Sequence, residues 1–166
     1  MIANSAQRAS LVPSVPRISV YISKSNVTHE LVYASGVFGI HLLRRDQWEL
    51  IWHLGFQSAR QVDKLATLRY QPGQTGCPML EDCFSAYECR VSNAMDAGAA
   101  TFFLGDVVAV STEQPGEVMT SDYFRTNMPL DRKQQYEARL LEAQSYLEPL
   151  ARQIDRRRWP GPSAPP

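Results

Sequence analysis

The chain has 166 residues, of which 44% are hydrophobic and 20% are charged, and its formal net charge at pH 7 is zero. This length and composition predict one globular domain, and the zero net charge argues against nucleic acid or an anionic membrane as a partner. No apolar run reaches the ~18 residues of a membrane helix and the N-terminus lacks a signal-peptide pattern, so we expect a cytoplasmic protein.

The cysteines and histidines form no pattern that predicts disulfide bonds or a metal site. Three cysteines are spaced six residues apart between Cys77 and Cys89. This spacing matches no zinc motif, and an odd count without a signal sequence argues against a disulfide framework. The three histidines are scattered. We expect His41, which lies in an apolar segment, to be a hydrogen-bonded core residue, and we expect no structural metal.

The first predicted elements are a strand and a short helix. Residues 17–22 alternate between apolar and polar side chains, which predicts a strand with one buried face. A short helix is predicted over residues 27–34, with Ser25 or Asn26 as its N-cap and Gly36 at its end.

A second strand and a second helix are predicted next. Residues 37–43 are predicted to form the strand. Asp46 and Glu49 then have the spacing of a capping box, with Asp46 at the N-cap position. The helix that they open is predicted to run to about Leu54 and to end at Gly55.

The centre of the chain predicts a long antiparallel hairpin. It follows a short helical piece around residues 62–68 and a turn at residues 71–73. In the first strand of the hairpin, Cys89 lies on one face and Glu88 on the other. Residues 101–107 are an almost continuous apolar run, as expected for a strand that is covered on both sides. The residues that suit the turn between the strands are Asn93, Asp96 and Gly98.

The C-terminal part predicts a long helix, with Asp131 as its N-cap and a kink at Pro149. Apolar side chains recur on one face of this helix, at Tyr136, Leu140, Ala143, Leu147 and Ile154. From Trp159 onward, the proline-rich tail is predicted to be disordered. The chain therefore divides into a main domain over residues 1–128, an amphipathic helix over 129–158 and a tail over 159–166.

An ordered series of short motifs carries a resemblance to a known family. The motifs are Asn4-Ser5-Ala6-Gln7, Ser10-Leu11, residues 35–43, Gly76-x-Pro78-x-Leu80, Glu88-Cys89-x-Val91, Asp96-x-Gly98 and Gly105-Asp106-Val107. Together they resemble the flavin reductase-like, FMN-binding split-barrel family over roughly residues 3–110. The resemblance implies a mainly β, mixed β/α fold, in which an FMN-binding split β-barrel has short connecting helices and a C-terminal helix. Family members usually carry at least one strand before the segment that corresponds to residues 4–7. We therefore expect either that this N-terminal strand is missing or that the start of the protein sequence was assigned too late.

Lys24, Ser25 and Thr28 are the candidate residues for the FMN phosphate. They follow a strand and open a helix, where free amide groups and the helix dipole favour an anion. A lysine and two hydroxyl groups add hydrogen-bond donors. The same pattern is typical of an ordinary capped helix, but the resemblance implies that this element holds the phosphate. Ser58 and Arg60 are further candidates for the same site.

The N-terminal loop is the candidate contact for the edge of the isoalloxazine ring. Its residues are Asn4, Ser5, Ala6 and Gln7, and Ser10 joins them through the same motif. The residues alone would fit a plain polar turn. The resemblance implies that backbone amides of this loop lie near N5 and O4 of the flavin and tune its redox potential.

The predicted hairpin turn departs from the family pattern. Members that use a pyridine nucleotide often have Gly-Asp-His there, whereas this chain has Gly98-Ala99-Ala100. The histidine that helps to place the nicotinamide is therefore absent, and no residue can be named as catalytic.

The resemblance implies an FMN-binding flavin reductase that oxidises NAD(P)H and passes electrons to a partner protein or another acceptor. It also implies a homodimer. Two alternatives remain open: a non-catalytic FMN-binding protein, and a degenerate split barrel that serves only as an interaction module.

Overall fold

A computed structural model describes residues 1–3, 5–111 and 114–162 of the chain. Asn4, one of the candidate flavin contacts, lies outside the described residues. The strands within them are β1 (Gln7–Arg8), β2 (Arg17–Ser23), β3 (Val37–Leu42), β4 (Tyr70–Pro72), β5 (Pro78–Leu80), β6 (Ser85–Asp96) and β7 (Ala100–Val110). The helices are α1 (Val27–Ser35), α2 (Trp48–Gly55), α3 (Ser121–Asn127) and α4 (Leu130–Ala151).

The main sheet has five antiparallel strands in the order β1-β2-β7-β6-β3, and β4 pairs with β5 in a separate small sheet. The predicted long hairpin is confirmed, because β6 and β7 pair along most of their length. Gly98 in the turn has a φ of 77°, which glycine adopts without strain. Two shifts in register leave Val108 of β7 and Ser92 of β6 as extra residues in the pairing, and such bulges bend a strand and increase its twist. The sheet is therefore curled into a half-barrel.

The first hydrophobic core lies between the sheet and α1. Its buried side chains are Val20, Ile22, Val32, Phe38, Cys89, Val91 and Phe103. Phe103 has no exposed surface, and burial of a side chain of this size contributes roughly 1.5–3 kcal/mol to folding. This core fixes the relative position of β2 and α1, and so of the short connection between them.

A second core lies between α2, α3 and the sheet at the end of β3 and the start of β6. Its buried residues are Leu43, Ile51, Trp52, Cys83 and Ala86. The ring of Tyr136 in α4 packs edge-on against Phe124, with ring centroids 6.1 Å apart. The predicted apolar face is only partly covered, because Leu140 of α4 remains 44% exposed. The prediction that this face extends to Ile154 is wrong, since α4 ends at Ala151.

Helix α1 forms as predicted. It ends at the C-cap Gly36, whose φ of 69° is left-handed and whose N–H donates to the carbonyl of Val32. Asn26 occupies the N-cap position, but its side chain makes no capping hydrogen bond. The first-turn amides of α1 therefore have no side-chain cap from Asn26.

The capping box predicted for α2 is wrong, although the predicted end of the helix at Gly55 is right. The N-cap residue is Gln47, and Asp46 instead lies 3.2 Å from the guanidinium of Arg44. The Gln47 side chain accepts a hydrogen bond from the backbone N–H of Arg44 and donates one to the carbonyl of Asp82. These contacts bury Gln47 and fix the start of the helix one residue later than the sequence pattern suggests.

Two predictions for the segment after α2 are also wrong. Residues 62–68 form turns and bends rather than a helix. The turn predicted at residues 71–73 is displaced, because Pro72 ends β4 and the chain turns after it. Pro72 pairs with Pro78 of β5, and proline is tolerated there because each strand of a two-stranded sheet has an edge that needs no N–H donor.

Glu88 is buried, with 1% of its surface exposed, although it belongs to the strand face opposite Cys89. Its carboxylate accepts hydrogen bonds from the backbone N–H of Gln74, at 2.9 Å, and from the N–H and hydroxyl of Thr75. Burial opposes its ionised form, but these donors outweigh burial, so the pKa of Glu88 is lowered. Glu88 thus holds the loop before β5 against the sheet.

His41 is a hydrogen-bonded, largely buried residue, as expected. Its Nε2 accepts a hydrogen bond from the backbone N–H of Leu80 at 3.0 Å. Burial lowers the pKa of His41 to about 4, so the ring is neutral at pH 7. The three cysteines are free thiols, and no group of His, Cys, Asp and Glu within the described residues could hold a metal ion.

Helix α4 begins at Leu130 with Pro129 as its N-cap, so the predicted cap at Asp131 is two residues late. Pro149 lies in the last turn, and the helix ends at Ala151. None of the helices in the described residues is long and apolar enough to cross a membrane.

The tail differs from its prediction at Trp159. The indole of Trp159 packs against the first core, edge-on to the ring of Tyr33 at a centroid distance of 6.4 Å. Pro162 then approaches Gly36 at the end of α1. An aromatic side chain can therefore dock a proline-rich segment that composition alone would leave unpacked. Residues 163–166 lie outside the described residues.

Candidate functional site

The connection between β2 and α1 brings together the three predicted phosphate residues. The backbone N–H of Lys24 donates to the carbonyl of Ala99 at 3.0 Å, which ties the connection to the hairpin turn. The hydroxyls of Ser23 and Ser25 lie 2.8 Å apart, and Thr28 follows in the first turn of α1. We call this connection, residues 23–28, the β2–α1 junction.

The helix end at this junction suits an anion. The first N–H groups of an α-helix have no partner within the helix, and the helix dipole places a partial positive charge there. In α1 the side chain of Asn26 caps none of these donors, but the N–H groups of Asn26 and His29 already donate to the carbonyls of Ser23 and Asn26 at 3.1 and 2.9 Å. The other two donors at this helix end are the N–H groups of Val27 and Thr28. The junction therefore offers backbone donors beside the amine of Lys24 and the hydroxyls of Ser25 and Thr28.

Lys24 is held in place by an acidic residue of the hairpin. Its Nζ lies 2.7 Å from Oδ2 of Asp96, and the two side chains are 24% and 17% exposed. Burial opposes the ionised form of Asp96, but the ion pair with Lys24 and the N–H of Gly98 outweigh it, so the pKa of Asp96 is lowered. An anion that binds Lys24 has to compete with this carboxylate.

The N-terminal loop follows the edge of β2 towards the junction. The hydroxyl of Ser5 donates to the carbonyl of Tyr21 at 3.1 Å, and Gln7 pairs with Ser19. Because β1 and β2 are antiparallel, Ser5 lies nearer to the junction than Gln7 does. Ala6 between them is exposed. The predicted loop and the predicted phosphate residues thus lie along the same strand.

Ser10 does not join this group. Its hydroxyl is engaged locally, where it accepts a hydrogen bond from the backbone N–H of Val12 at 3.1 Å. The neighbouring residue Ala9 bonds to the carbonyl of Arg17 at the start of β2. The start and the end of a seven-residue strand lie on the order of 20 Å apart, so Ser10 and Lys24 are at opposite ends of β2.

The loop after α2 contacts the first turn of α1 through an ion pair. Arg60 forms an ion pair with Glu30, which lies in the first turn of α1. Ser58 accepts a hydrogen bond from the backbone N–H of Arg60 at 3.2 Å. Residues 59–65 of this loop line a shallow cleft of about 400 Å³. Arg60 is therefore near the junction, while the Ser58 hydroxyl is used to shape the loop.

The hairpin turn is tightly packed around Ala100, the position at which the resemblance implies a histidine in members that use a pyridine nucleotide. Ala100 has no exposed surface. A side chain at Gly98 would collide with the carbonyl oxygen of Ala151 at the end of α4. The turn is thus closed by the C-terminal part of the same chain.

Two polar residues near the junction had no assigned role in the sequence prediction. His29 in α1 lies with its Nε2 2.8 Å from the hydroxyl of Thr101, and its ring packs against Tyr33 and Phe103. Burial lowers the pKa of His29, which fits a core residue. Asp96 was predicted only as a turn residue, because no local signal shows that a residue 72 positions away pairs with Lys24.

The curled antiparallel sheet and its helices define the fold as a split barrel. Residues 1–129 match the family described as the flavin reductase like domain. The chain belongs to this family, as the resemblance of its motifs indicated.

Individual relatives agree with this family assignment. A high molecular weight rubredoxin from Moorella thermoacetica is 38% identical over 111 residues, which are 66% of this chain and 48% of that protein. A ferric-chelate reductase (NAD(P)H) from Archaeoglobus fulgidus is 32% identical over 110 residues, 64% of this chain and 65% of that protein. This chain thus spans about half to two thirds of the lengths of these two curated relatives.

A solved structure confirms the split-barrel fold. The FMN-binding protein from Thermus thermophilus superposes with a TM-score of 0.60 at 33% identity, and the match covers 65% of this chain and 60% of that chain. The family match ends at residue 129, so α4 and the chain after it lie outside that match.

Proposed function

We propose that this chain binds FMN and acts as a flavin reductase-type oxidoreductase, which reduces flavin with NAD(P)H and passes electrons to an acceptor. The observation that carries the proposal is the β2–α1 junction, where N–H groups of the first turn of α1, the amine of Lys24 and two hydroxyl groups lie near the N-terminal loop that runs along the edge of β2. Family membership and the names of the relatives, a ferric-chelate reductase (NAD(P)H) and an FMN-binding protein, support the same activity.

The junction is the proposed binding site for the FMN phosphate. A phosphate dianion is complementary to helix N–H donors and to a lysine amine. Lys24 is already partly buried and oriented by Asp96, so its charge does not have to be brought in from solvent. Ser25 and Thr28 are proposed to donate their hydroxyl hydrogens, and Arg60 is proposed to approach from the loop after α2.

The edge of β2 is the proposed position of the isoalloxazine ring. The segment with Ser5, Ala6 and Gln7 follows this edge, and its backbone amides are proposed to donate to the ring. Flavin supplies the hydride chemistry itself, so the protein has to bind it, orient it and tune its potential. No side chain of this chain is required to act as an acid or base in hydride transfer.

A second candidate function is an FMN-binding protein that does not react with NAD(P)H. The buried Ala100 and the packing of Gly98 against α4 favour it, because they leave no histidine and no open turn to position a nicotinamide. In this case the protein would receive its electrons from another redox protein. The relationship to a high molecular weight rubredoxin fits a partner of that kind.

We also propose that the protein forms a homodimer. Two sets of apolar side chains are exposed on one copy. On the sheet they are Met95, Phe102, Val108 and Val110, and on α4 they are Leu130, Leu140, Leu141 and Tyr146. Exposed apolar side chains of this number are typical of interaction sites when they lie together, and a second copy is proposed to cover them.

Anaerobic reduction of the reconstituted protein tests the proposed activity. The purified protein is loaded with FMN, mixed with NADH or NADPH in a stopped-flow instrument, and followed by loss of flavin absorbance. A reductase is expected to bleach at a rate typical of enzymes, ~1–1000 per second. Flavin that binds but is bleached only by dithionite would instead establish the second candidate, and a protein that binds no flavin would exclude both.

A further inference from the structure

A cleft of about 510 Å³ lies between α2 and α4, and we call it the α2–α4 cleft. Pockets that hold small ligands typically have volumes of ~300–1000 Å³. One wall is formed by α2 and the two residues after it, and the other wall by the first half of α4. Because the family match ends at residue 129, the second wall belongs to a part of the chain outside that match.

Side-chain contacts show that α2 and α4 run side by side in the same direction. The guanidinium of Arg132 lies over the ring of Trp52, 5.4 Å from its centroid. One turn further along both segments, the ring of Tyr136 lies 6.5 Å from the ring of Phe56. Arg139 follows Arg132 by two turns, which is roughly 10 Å along a helix. Arg139 therefore lies at the Phe56 end of the cleft.

The charges around the cleft favour an anion at this end. Among the lining residues that the structure describes, the guanidinium groups of Arg132 and Arg139 are opposed by the carboxylate of Glu49. Glu49 lies in the first turn of α2, at the end of the cleft away from Arg139. Within the described part of the chain, no carboxylate lies at ion-pair distance from Arg139. Its five N–H donors are therefore available to a ligand.

The last turn of α2 does not oppose an anion there, although the carbonyl end of a helix carries a partial negative charge. The Nζ of Lys64 donates to the carbonyl of Leu54 at 2.7 Å. The Nε2 of His53 in turn donates to the carbonyl of Lys64 at 2.8 Å. The ammonium group of Lys64 thus satisfies a terminal carbonyl and offsets the negative end of α2.

The rings of Trp52 and Phe56 give the cleft an aromatic wall. They pack edge-on, with centroids 4.9 Å apart. Trp52 is buried under Arg132, whereas Phe56 is half-buried. The surfaces that meet a ligand are thus the ring of Phe56 and the guanidinium plane of Arg132, and both kinds of group stack on flat rings.

We propose that the α2–α4 cleft binds a small anion in which a carboxylate or phosphate group is attached to an aromatic ring. The anionic oxygens accept hydrogen bonds from Arg139, since a guanidinium matches either group in a bidentate manner. The ring of the ligand lies along Phe56 and Arg132. This inference goes beyond the proposed function and does not rest on it, because none of these groups belongs to the β2–α1 junction.

Calorimetric titration of the full chain with four matched probes tests the proposal. Benzoate and phenyl phosphate have both a ring and a charge, benzamide has the ring without the charge, and inorganic phosphate has the charge without the ring. At least one of the two aromatic anions is expected to bind about tenfold more tightly than benzamide and inorganic phosphate. The tighter of the two identifies the anionic group. Equal affinities for all four probes, or no binding at millimolar concentration, would overturn the proposal.

Substitution of Arg139 locates the bound anion. Arg139→Gln is expected to weaken binding of the aromatic anion about tenfold through loss of a charge-assisted hydrogen bond. The matched control Lys133→Gln removes an exposed positive charge from the same helix but outside the cleft, and it is expected to leave the affinity nearly unchanged. An affinity that is equal in Arg139→Gln and in the unmodified protein would refute the site. Arg139 is exposed, so this variant is expected to fold, and its melting temperature checks this.

The indole N–H signals of the three tryptophans report on the same site in the unmodified protein by NMR. The signal of Trp52 is expected to shift when the aromatic anion binds, while that of Trp159, which packs on Tyr33 in the first core, stays in place. A shift of the Trp159 signal without a shift of the Trp52 signal would place the ligand elsewhere and contradict the proposal.

The variant Lys24→Ala separates this proposal from the proposed function. It is expected to leave binding of the aromatic anion unchanged. If Lys24→Ala weakens this binding and Arg139→Gln does not, the probe binds at the β2–α1 junction and the cleft proposal fails. If the aromatic anion binds as expected but the protein binds no FMN, the cleft proposal stands and the proposed function fails.

Discussion

The Nζ atom of Lys24 lies 2.7 Å from Oδ2 of Asp96, although 72 residues separate the two positions in the chain. This ion pair joins the junction before α1 to the end of β6, next to the turn of the central hairpin. It has two consequences. It orients the one lysine of the candidate phosphate site, and it couples the geometry of that site to the hairpin turn.

A double-mutant cycle on Lys24 and Asp96 should measure how much their interaction contributes to the free energy of unfolding. We expect Lys24→Met and Asp96→Asn to be non-additive in the free energy of unfolding, with a coupling of about 1 kcal/mol for a pair that is mostly but not fully buried. Urea unfolding of the single and double variants measures it. Lys133→Met combined with Asp96→Asn is the control and should be additive. Additivity in both cycles would mean that the pair contributes nothing to folding.

Replacement of Glu88 by glutamine should loosen the loop before β5. Glutamine keeps the size of the side chain but replaces one acceptor oxygen with a donor that faces the N–H groups of Gln74 and Thr75. We expect a loss of about 1–3 kcal/mol in the free energy of unfolding and faster amide exchange in residues 73–77. An equally stable variant with unchanged exchange would show that the carboxylate is not what holds this loop.

The stability of the protein should fall as pH decreases through the range in which His41 would be protonated. The pKa of His41 is lowered by burial from 6.5 to about 4, so the unfolded chain binds a proton that the folded protein excludes. The contribution of His41 to stability is therefore full above pH 6.5 and declines as pH falls towards 4, by up to about 3 kcal/mol at 1.36 kcal/mol per unit.

The variant His41→Gln tests the origin of this pH dependence. Glutamine keeps an acceptor for the N–H of Leu80 but has no proton to gain in this range. Chemical denaturation at several pH values should give a flatter stability profile for the variant between pH 4 and 6.5. If both proteins lose the same stability over that range, another group is responsible.

Introduction of the family histidine at position 100 should destabilise the protein. Ala100 has no exposed surface, so an imidazole there must displace packed atoms at a cost of about 1–3 kcal/mol. The same substitution at the exposed Ala138 of α4 is the control and should cost less than about 1 kcal/mol. Thermal unfolding compares them. If Ala100→His is as stable as the control, the turn has room for a histidine and its absence needs another explanation.

The parts of the fold that were predicted correctly depend on local signals. Helix α1 follows from the apolar spacing and from Gly36, which adopts the left-handed conformation at its C-cap. The hairpin follows from the alternation in β6 and from the glycine of its turn. Both signals lie within a few residues of the structure that they specify.

The parts that were predicted wrongly depend on contacts between distant residues. Asp46 and Glu49 have the spacing of a capping box, but Gln47 is fixed instead by the carbonyl of Asp82. Trp159 is docked by Tyr33, more than a hundred positions earlier in the sequence. Neither partner is visible from the local pattern.

The prediction of the candidate site was likewise correct for local features and incomplete for contacts between distant residues. Lys24, Ser25 and Thr28 were predicted because a strand-to-helix connection is a local feature. The partner Asp96 and the end of α4 that covers the hairpin turn are distant in the sequence, so no local pattern shows that an anion at Lys24 has to compete with a carboxylate.

The central claim, that the phosphate of FMN binds at the β2–α1 junction, is tested most directly by comparing FMN with riboflavin, which lacks the phosphate. Dissociation constants of both flavins are measured by fluorescence titration for the unmodified protein, Lys24→Ala and the control Lys133→Ala. Loss of one charge-assisted hydrogen bond should weaken FMN binding to Lys24→Ala by about 1.5–3 kcal/mol, with little change for riboflavin and no change in the control. Equal weakening of FMN and riboflavin, or none for either, would contradict the account.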